Sequence, residues 1–256
     1  MSASPSPYVE LRARGAVATV EFFHPEHNSL PAELLRRLSD EIVRAGDDSE
    51  IRVIVLQSAG ARTFCAGANF AELAALTDAA AGARFFGGFG GVINAMRKCP
   101  KFIVGRVQGK AVGGGVGLAA ATDYCLASRH GAIKLSELSI GIGAFVVGPA
   151  IERKIGLSAM SQLTLAADAF HDAEWAREKG LYAQVHDTAE QLDAAVQSLA
   201  QKLAAYDPQA MRELKRTLWH DAAHWDELLA QRAAISGTLA VAAPAQQTIR
   251  ALQLNR

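Results

Sequence analysis

Gly109-Lys110-Ala111-Val112-Gly113-Gly114-Gly115 is the most informative stretch of this chain, together with Phe64-Cys65-Ala66-Gly67-Ala68-Asn69 upstream of it. Each stretch follows an apolar segment and leads into a helix-like one. The first backbone N–H groups of a helix have no partner inside that helix, and the aligned peptide dipoles leave partial positive charge there. If the fold brings the two helix starts together, two N–H groups can converge on one oxygen and stabilise the negative charge that develops on it.

Glycine suits such a site because a side chain would keep a substrate carbonyl away from the backbone, and because glycine accepts unusual backbone angles. Close helix packing also demands small residues, so the glycine run alone leaves both interpretations open. Residues 115–120 also fit a dinucleotide-binding fingerprint, with Glu137 as the downstream acid. That fingerprint begins directly after a strand, whereas the strand predicted at Phe102–Val107 ends several residues earlier, so the interpretation is disfavoured.

Composition limits the possible partners of the chain. The 256 residues are half hydrophobic, and 26 basic residues balance 26 acidic ones. No net field therefore attracts nucleic acid or an anionic membrane, and a small ligand is expected. Apolar stretches are broken by glycine or charge before they could span a bilayer. Residues 1–7 have no signal-peptide pattern, so a disordered lead-in and a cytoplasmic location are predicted. Cys65, Cys99 and Cys125 are expected to be reduced and mostly buried.

The pattern of apolar residues predicts a repeated strand, strand, helix unit and therefore an α/β core. Residues 31–44 read as a helix with Leu34, Leu35, Leu38 and Ile42 on one face, and the β-branched run at residues 52–57 fits a strand buried on both faces. Further strands are predicted at residues 11–21, Phe102–Val107, 124–127 and 132–135, and further helices at residues 85–97, Gly114–Ala121, 148–154, 159–167 and 173–179. Residues 1–191 are expected to form the core. Residues 192–256 are expected to form a helical region with a break at Asp207-Pro208.

Glu137 is the most interesting acid in the sequence. It lies between a predicted strand and a glycine-rich loop, with apolar neighbours on both sides. Burial would raise its pKa toward the range in which a carboxylate both takes and returns a proton. The alternative is a glutamate at a strand end that caps the backbone of the next loop.

Two other motifs favour less specific roles. His220-Asp221-Ala222-Ala223-His224 would place two imidazoles on one helical face at a zinc-like spacing, but the usual Glu is replaced by Asp and no third ligand is evident. A solvated or interface helix is therefore favoured over a metal site. Cys65 could be a nucleophile at a helix start, but its apolar neighbours favour a small buried residue.

The three motifs FCAGANFAEL, GKAVGGGVGLA and LSELSIGI, in this order, resemble the crotonase superfamily of enoyl-CoA hydratases and isomerases. The resemblance implies a spiral of β-β-α units, and terminal helices that assemble a trimer or a dimer of trimers. It also implies a coenzyme A thioester substrate and no separate cofactor. The apolar faces that carry Leu228, Leu229 and Ile235 are expected to take part in this assembly.

Carried over by position, the resemblance assigns the oxyanion-binding N–H groups to Ala68 and Gly114 and the proton carrier to Glu137. Substrate and CoA contacts are expected along the two loops and the segment before the first helix, at His27, Asn28, Ser29, Ala66, Gly67 and Gly113. The family's usual Asp after the oxyanion alanine is Asn69 here, and Asn can still cap the helix.

Gly117 is the informative departure from the family pattern. Hydratases carry a glutamate there, and it holds the added water together with the one at the position of Glu137. A single glutamate suits an isomerase, which moves one proton between C2 and C4. Phe145 stands where two other branches of the family place an Asp. We therefore predict enoyl-CoA isomerisation, with hydration as the alternative and a CoA- or RNA-binding protein with little catalysis as another. The basic residues Arg36, Arg37 and Arg44 alternate with acids, which disfavours RNA.

Overall fold

The computed structural model describes residues 6–254, so residues 1–5 of the predicted lead-in lie outside the described residues. The strands are β1 (Tyr8–Arg14), β2 (Val17–Phe23), β3 (Val53–Ser58), β4 (Thr63–Cys65), β5 (Phe102–Val107), β6 (Lys110–Val112), β7 (Tyr124–Ser128), β8 (Ile133–Lys134) and β9 (Gln184–His186). The helices are α1 (Ala32–Asp47), α2 (Phe70–Ala74), α3 (Ala79–Lys98), α4 (Gly114–Ala121), α5 (Gly148–Leu165), α6 (Ala173–Glu178), α7 (Ala189–Ala204), α8 (Pro208–Leu218), α9 (Trp225–Ala240) and α10 (Ala243–Leu254).

From β3 to β9, successive strands alternate between two sheets. The large sheet has the order β1-β2-β3-β5-β7-β9, parallel except for β1, and the small parallel sheet has the order β4-β6-β8. Both strands of the first repeat, β1 and β2, enter the large sheet before α1. From β3 onward, the first strand of each repeat enters the large sheet, the second enters the small sheet, and a helix or 3₁₀ turn follows. The predicted repeat of β-β-α units is therefore confirmed. The three-residue strands β4, β6 and β9 were not expected, because such short runs show no periodicity.

The large sheet is buried on both faces in its centre, as predicted for residues 52–57. Ile54, Leu56 and Ile103 pack toward α1, α3 and α4, whereas Val53 and Val55 pack toward α7. The apolar face of α1 is buried as predicted. Strands β3 and β5 are therefore fixed between two layers of helices, and the loops that follow them begin from rigid positions.

The helices at the end of the chain pack on the core of the same subunit. Helix α8 begins after Asp207, at the predicted break. The buried Lys215 of α8 donates hydrogen bonds to the carbonyl oxygens of Met96 and Lys101 and forms an ion pair with Asp123 at 2.9 Å. The domain division at residue 192 stays a prediction.

Helix α9 packs against α3 of the same subunit. The expectation that Leu228, Leu229 and Ile235 all lie on faces open to assembly is therefore wrong in part. Leu229 is buried within the subunit and Leu228 is partly buried against the core, so neither leaves an open apolar face, whereas Ile235 remains exposed. No helix within residues 6–254 is both long enough and apolar enough to cross a membrane.

Candidate active site

The two glycine loops meet because their strands, β4 and β6, are neighbours in the small sheet. Gly67 has a φ of +82°, and a Cβ atom there would lie 2.8 Å from the carbonyl oxygen of Val112 and 3.1 Å from the nitrogen of Gly114. Only glycine accepts both the backbone angle and the contact. The start of α4 is therefore in contact with the loop that carries Ala68.

Two N–H groups remain free at this junction. The Gly113 N–H donates to the carbonyl oxygen of Lys134 at 2.8 Å. Within the part of the chain that the structure describes, the N–H groups of Ala68 and Gly114 have no backbone or side-chain acceptor. Both residues line the same cavity, so the structure brings together the two donors that the sequence assigned to an oxyanion.

Backbone hydrogen bonds from residues 27–30 hold the first glycine loop in place. The Ala66 N–H donates to the carbonyl oxygen of His27 at 3.1 Å, and the Leu30 N–H donates to that of Gly67 at 2.8 Å. His27 and Asn28 both have positive φ values, of 55° and 56°. This conformation is uncommon for residues other than glycine and is kept only where the surroundings enforce it.

The buried side chain of Asn28 enforces that conformation. Its amide donates to the carbonyl oxygens of Ala59 at 2.8 Å and Thr63 at 2.9 Å, and its oxygen accepts the His24 N–H at 3.0 Å. The Asn28 side chain is therefore committed to the protein, and only its backbone is available to a ligand.

Asn69 caps the helix that follows the first loop, as predicted. Its side-chain oxygen accepts the Glu72 N–H at 3.1 Å, and its amide donates to Ser29 Oγ at 3.2 Å and to Glu26 at 3.1 Å. Ser29 and Asn69 are both buried. The replacement of Asp by Asn retains the cap and adds a donor that ties α2 to the segment before α1.

Glu137 lies against the second glycine loop. Its Oε1 is 2.7 Å from the position that a Cβ atom on Gly113 would take, so glycine there leaves space for the carboxyl group. Its Oε2 is fully enclosed and has no hydrogen-bond partner among the described residues. Although part of the residue is exposed, burial of the carboxyl group raises its pKa from 4.5 to about 7. The capping alternative is wrong, because the side chain makes no capping hydrogen bond to the 3₁₀ turn Leu138–Ile140.

A valine occupies the space beside Gly117. A Cβ atom on Gly117 would lie 2.5 Å from both Cβ and Cγ1 of Val147, and the whole of α4 is buried. A second carboxylate could enter at this position only if Val147 moved. Val147 and Phe145 both line the cavity next to Glu137. Within this cavity, Glu137 is therefore the only lining residue with an acidic side chain.

The remaining glycines of the second run also serve close packing. A Cβ atom on Gly114 would lie 2.2 Å from the ring of Phe89, and one on Gly115 would lie 2.4 Å from the carbonyl oxygen of Cys65. The packing interpretation of this run therefore holds, and the site interpretation stays a prediction. The dinucleotide fingerprint at residues 115–120 stays disfavoured, because β6 ends at Val112 and Gly113 and Gly114 still separate that strand from Gly115. Gly115 and Gly117 are also enclosed inside α4, where no ligand phosphate could reach them.

The other candidates are not among the residues that line this cavity. His220 lies in a 3₁₀ turn and His224 precedes α9, so the expected single helical face is wrong, and the His220 ring contacts the Thr217 carbonyl oxygen at 2.8 Å. Cys65 is buried, and burial raises the pKa of its thiol to about 12, which disfavours a nucleophile. All three cysteines are free and buried, as predicted.

Sequence reasoning missed a basic groove next to the first loop. The groove has a volume of about 800 Å³, and no acidic residue is among those that line it: His27, Ala61, Arg62, Thr63, Ala66, Lys110, Val112, Arg129, His130 and Ala132. Lys110 also shares the ring of Phe170 with Lys134, at 4.9 and 4.6 Å from the ring centroid. These cations come from distant segments, so no local charge run could have revealed them.

Comparison with known proteins gives consistent matches. The family model described as enoyl-CoA hydratase/isomerase matches residues 12–250. Human mitochondrial methylglutaconyl-CoA hydratase is 30% identical over 192 residues, which cover 73% of this chain but only 56% of that relative. Carnitinyl-CoA dehydratase from Proteus mirabilis is 28% identical over 213 residues, 82% of this chain and 79% of the relative.

Solved structures share the architecture. An enoyl-CoA hydratase from Bacillus halodurans superposes with a TM-score of 0.88 at 22% identity, over 95% of this chain and 99% of that one. An enoyl-CoA hydratase/carnithine racemase from Magnetospirillum magneticum gives a TM-score of 0.79 at 27% identity, over 84% of this chain and 80% of that one. The spiral of β-β-α units followed by helices is the crotonase fold of these proteins.

Proposed function

The chain belongs to the enoyl-CoA hydratase/isomerase family, and we propose that it moves the double bond of an enoyl-CoA thioester with Glu137 as the single proton carrier. The observation that carries this proposal is the enclosed Oε2 atom of Glu137, without a hydrogen-bond partner among the described residues, beside two free N–H groups, with Val147 in the place of a second acid.

The proposed reaction begins with the thioester carbonyl oxygen between the N–H groups of Ala68 and Gly114. The Glu137 carboxylate removes a proton from C2 of a 3-enoyl-CoA, and the electron pair of that C–H bond moves to the thioester to form an enolate. The two N–H groups stabilise its oxygen. Protonated Glu137 then donates the proton to C4, the double bond moves to C2=C3, and the carboxylate is regenerated.

The pKa of Glu137 supports this cycle. A group that must accept a proton and then return it works best with a pKa near the ambient pH, and burial raises that of Glu137 to about 7. The Oε2 atom has no hydrogen-bond partner that would hold it in one protonation state. No metal and no separate cofactor is needed for this chemistry.

The basic groove supports coenzyme A as the carrier of the acyl group. It contains Arg62, Lys110 and Arg129, and it shares Ala66 with the smaller cavity that holds Glu137. A ligand that enters the oxyanion site past Ala66 would extend its polyanionic half into this groove. Phosphate groups are attracted to such clusters of cations without acidic partners. The proposed contacts with His27, Asn28 and Ser29 are through the backbone.

The ratio of products tests the proposed reaction. With a 3-enoyl-CoA in deuterated water, we expect the wild-type protein to form the 2-enoyl isomer with label at exchangeable carbons and little 3-hydroxyacyl-CoA, as measured by mass spectrometry. The double variant Gly117→Glu/Val147→Ala provides both a carboxylate and space for it. We expect it to form more hydroxy product than the matched Val147→Ala control.

Hydration is the second candidate, because curated relatives include methylglutaconyl-CoA hydratase and a short-chain-enoyl-CoA hydratase from Clostridium acetobutylicum. Hydration here would require an acid or water held by a group other than a second glutamate in the cavity. Rapid, stoichiometric hydration of a 2-enoyl-CoA by the wild-type protein would replace the isomerase proposal with this one.

We propose in addition that the protein is a trimer or a dimer of trimers. Leu157 and Leu165 of α5 are 66% and 75% exposed, which is unusual for large apolar side chains on a lone subunit. In sedimentation runs we expect a trimer or hexamer for the wild type and smaller species for Leu165→Asp. Val43→Asp, at an exposed position on α1, is the control that should leave assembly intact. A wild-type monomer at all concentrations would contradict the proposal.

A further inference from the structure

The cavity at Glu137 is small, with a volume of about 50 Å³. Pockets that hold drug-sized ligands have volumes of roughly 300–1,000 Å³, so this cavity has room for only a short acyl group. We propose that this protein takes short, uncharged acyl groups, an inference that rests on the proposed acyl-CoA function.

The end wall of the cavity is formed where α3 crosses α9. A Cβ atom on Gly82 would lie 2.6 Å from the Cα of Gly237, so the two helices approach at backbone distance. Phe86 and Phe89, one and two turns further along α3, then close the cavity toward this crossing. A helix pair in such close contact leaves no channel between its backbones for a longer chain.

Another side of the cavity, at Leu73 and Ile140, is backed by α10. Gln246 donates hydrogen bonds to the carbonyl oxygens of Leu73 at 3.4 Å and Ala240 at 2.8 Å, which ties α10 to α2 and α9. A Cβ atom on Gly141 would lie 3.4 Å from Ala245, so α10 also contacts the loop after Glu137. Leu73 and Ile140 complete the lining on this side.

The lining also argues against a charged acyl group. No lysine or arginine is among the residues that line the cavity, and Glu137 is the one ionisable group there. The Ser236 hydroxyl donates to the carbonyl oxygen of Arg232 at 3.2 Å. A terminal carboxylate would therefore be buried without a cation and close to Glu137, which is strongly unfavourable.

Binding of saturated thioesters tests the inference independently of the reaction. In an open apolar pocket each additional buried CH₂ strengthens binding about fourfold, so octanoyl-CoA would bind more tightly than butyryl-CoA. For the wild-type protein we expect the reverse in calorimetric titration, with octanoyl-CoA and succinyl-CoA both about tenfold weaker than butyryl-CoA, a typical cost of overpacking or of an unpaired charge. Octanoyl-CoA as tight as butyryl-CoA overturns the size limit, and succinyl-CoA as tight as butyryl-CoA overturns the charge limit.

The neighbouring residues Phe85 and Phe86 on α3 provide a matched pair of variants. Both side chains are buried and their rings are in contact, but of these two only Phe86 lines the cavity. Phe86→Ala should strengthen octanoyl-CoA binding relative to butyryl-CoA by about tenfold, since several CH₂ groups gain space, whereas Phe85→Ala should leave the ratio unchanged. Equal ratios in both variants would overturn the assignment of Phe86 as the end wall. If CoA and all thioesters fail to bind the folded wild-type protein, the proposed function itself is wrong, which separates the two failures.

Discussion

Replacement of Glu137 by Gln is expected to lower turnover of the best enoyl-CoA by about 10²–10⁴, with little change in acyl-CoA affinity. Gln keeps the shape of the side chain beside Gly113 but cannot accept a proton. No other acidic residue lines the cavity, so no nearby carboxylate can substitute for it. Steady-state kinetics and calorimetric titration of a saturated acyl-CoA measure the two quantities separately.

The pH dependence of kcat/KM of the wild-type enzyme is a second test of the role of Glu137. The proton-accepting form is the carboxylate, and burial raises its pKa to about 7. We therefore expect kcat/KM to rise as the pH increases through about 7 and then to level off. The residual activity of Glu137→Gln should lack this rise, because amide nitrogen and oxygen do not titrate in this range.

Stability measurements show whether a loss of activity reflects unfolding. The folded pKa of Glu137, about 7, lies above the ordinary value of 4.5, so the folded state holds this proton more tightly than the unfolded state. The contribution to stability is complete below pH 4.5 and is lost as the pH rises toward 7. Glu137→Gln should therefore be at least as stable as the wild type at pH 8. A stable variant with near-wild-type turnover would contradict the role of Glu137.

Replacement of Ala68 by Pro is expected to lower kcat by about 10²–10³, the usual cost of one lost oxyanion donor. Proline lacks the N–H group, and the Ala68 N–H has no acceptor among the described residues, so no structural hydrogen bond is lost with it. Kinetics on the best acyl-CoA, with circular dichroism as the check on folding, measure the effect.

Ala68→Gly is the matched control, because it changes the side chain and keeps the donor. We expect it to retain most of the activity. Gly114→Val is a poor probe of the same site, since its Cβ atom would collide with the ring of Phe89 at 2.2 Å and disturb the core. A folded Ala68→Pro variant with near-wild-type kcat would contradict the two-donor assignment.

Local patterns in the sequence were sufficient for the elements that follow simple periodicity. The apolar stripe of α1, the doubly buried strand β3 and the small-residue helix α4 all form as expected, because side-chain burial imposes a repeat on the residues. The motifs were also sufficient to predict the order of the site loops and the Asn69 cap. That cap is a contact between residues only three positions apart, Asn69 and Glu72.

Contacts between distant segments could not be predicted from local patterns in the sequence. The strands β4 and β6 are three residues long, and nothing in their sequence indicates that they lie side by side. The basic groove depends on that pairing, since its cations come from separate strands and loops. The burial of Leu229 inside the subunit likewise depends on the crossing of α3 and α9.

The sequence by itself determined the repeat of β-β-α units and the presence of one glutamate without a partner at Gly117, since both are properties of residue type and spacing. Only the tertiary structure decided that Val147 fills the space beside Gly117, that the Oε2 atom of Glu137 is enclosed without a partner among the described residues, and that Phe86 lines the cavity. The physical reason is that volume, desolvation and the pKa that follows from it depend on which side chains surround a point in space, and those side chains come from every part of the chain.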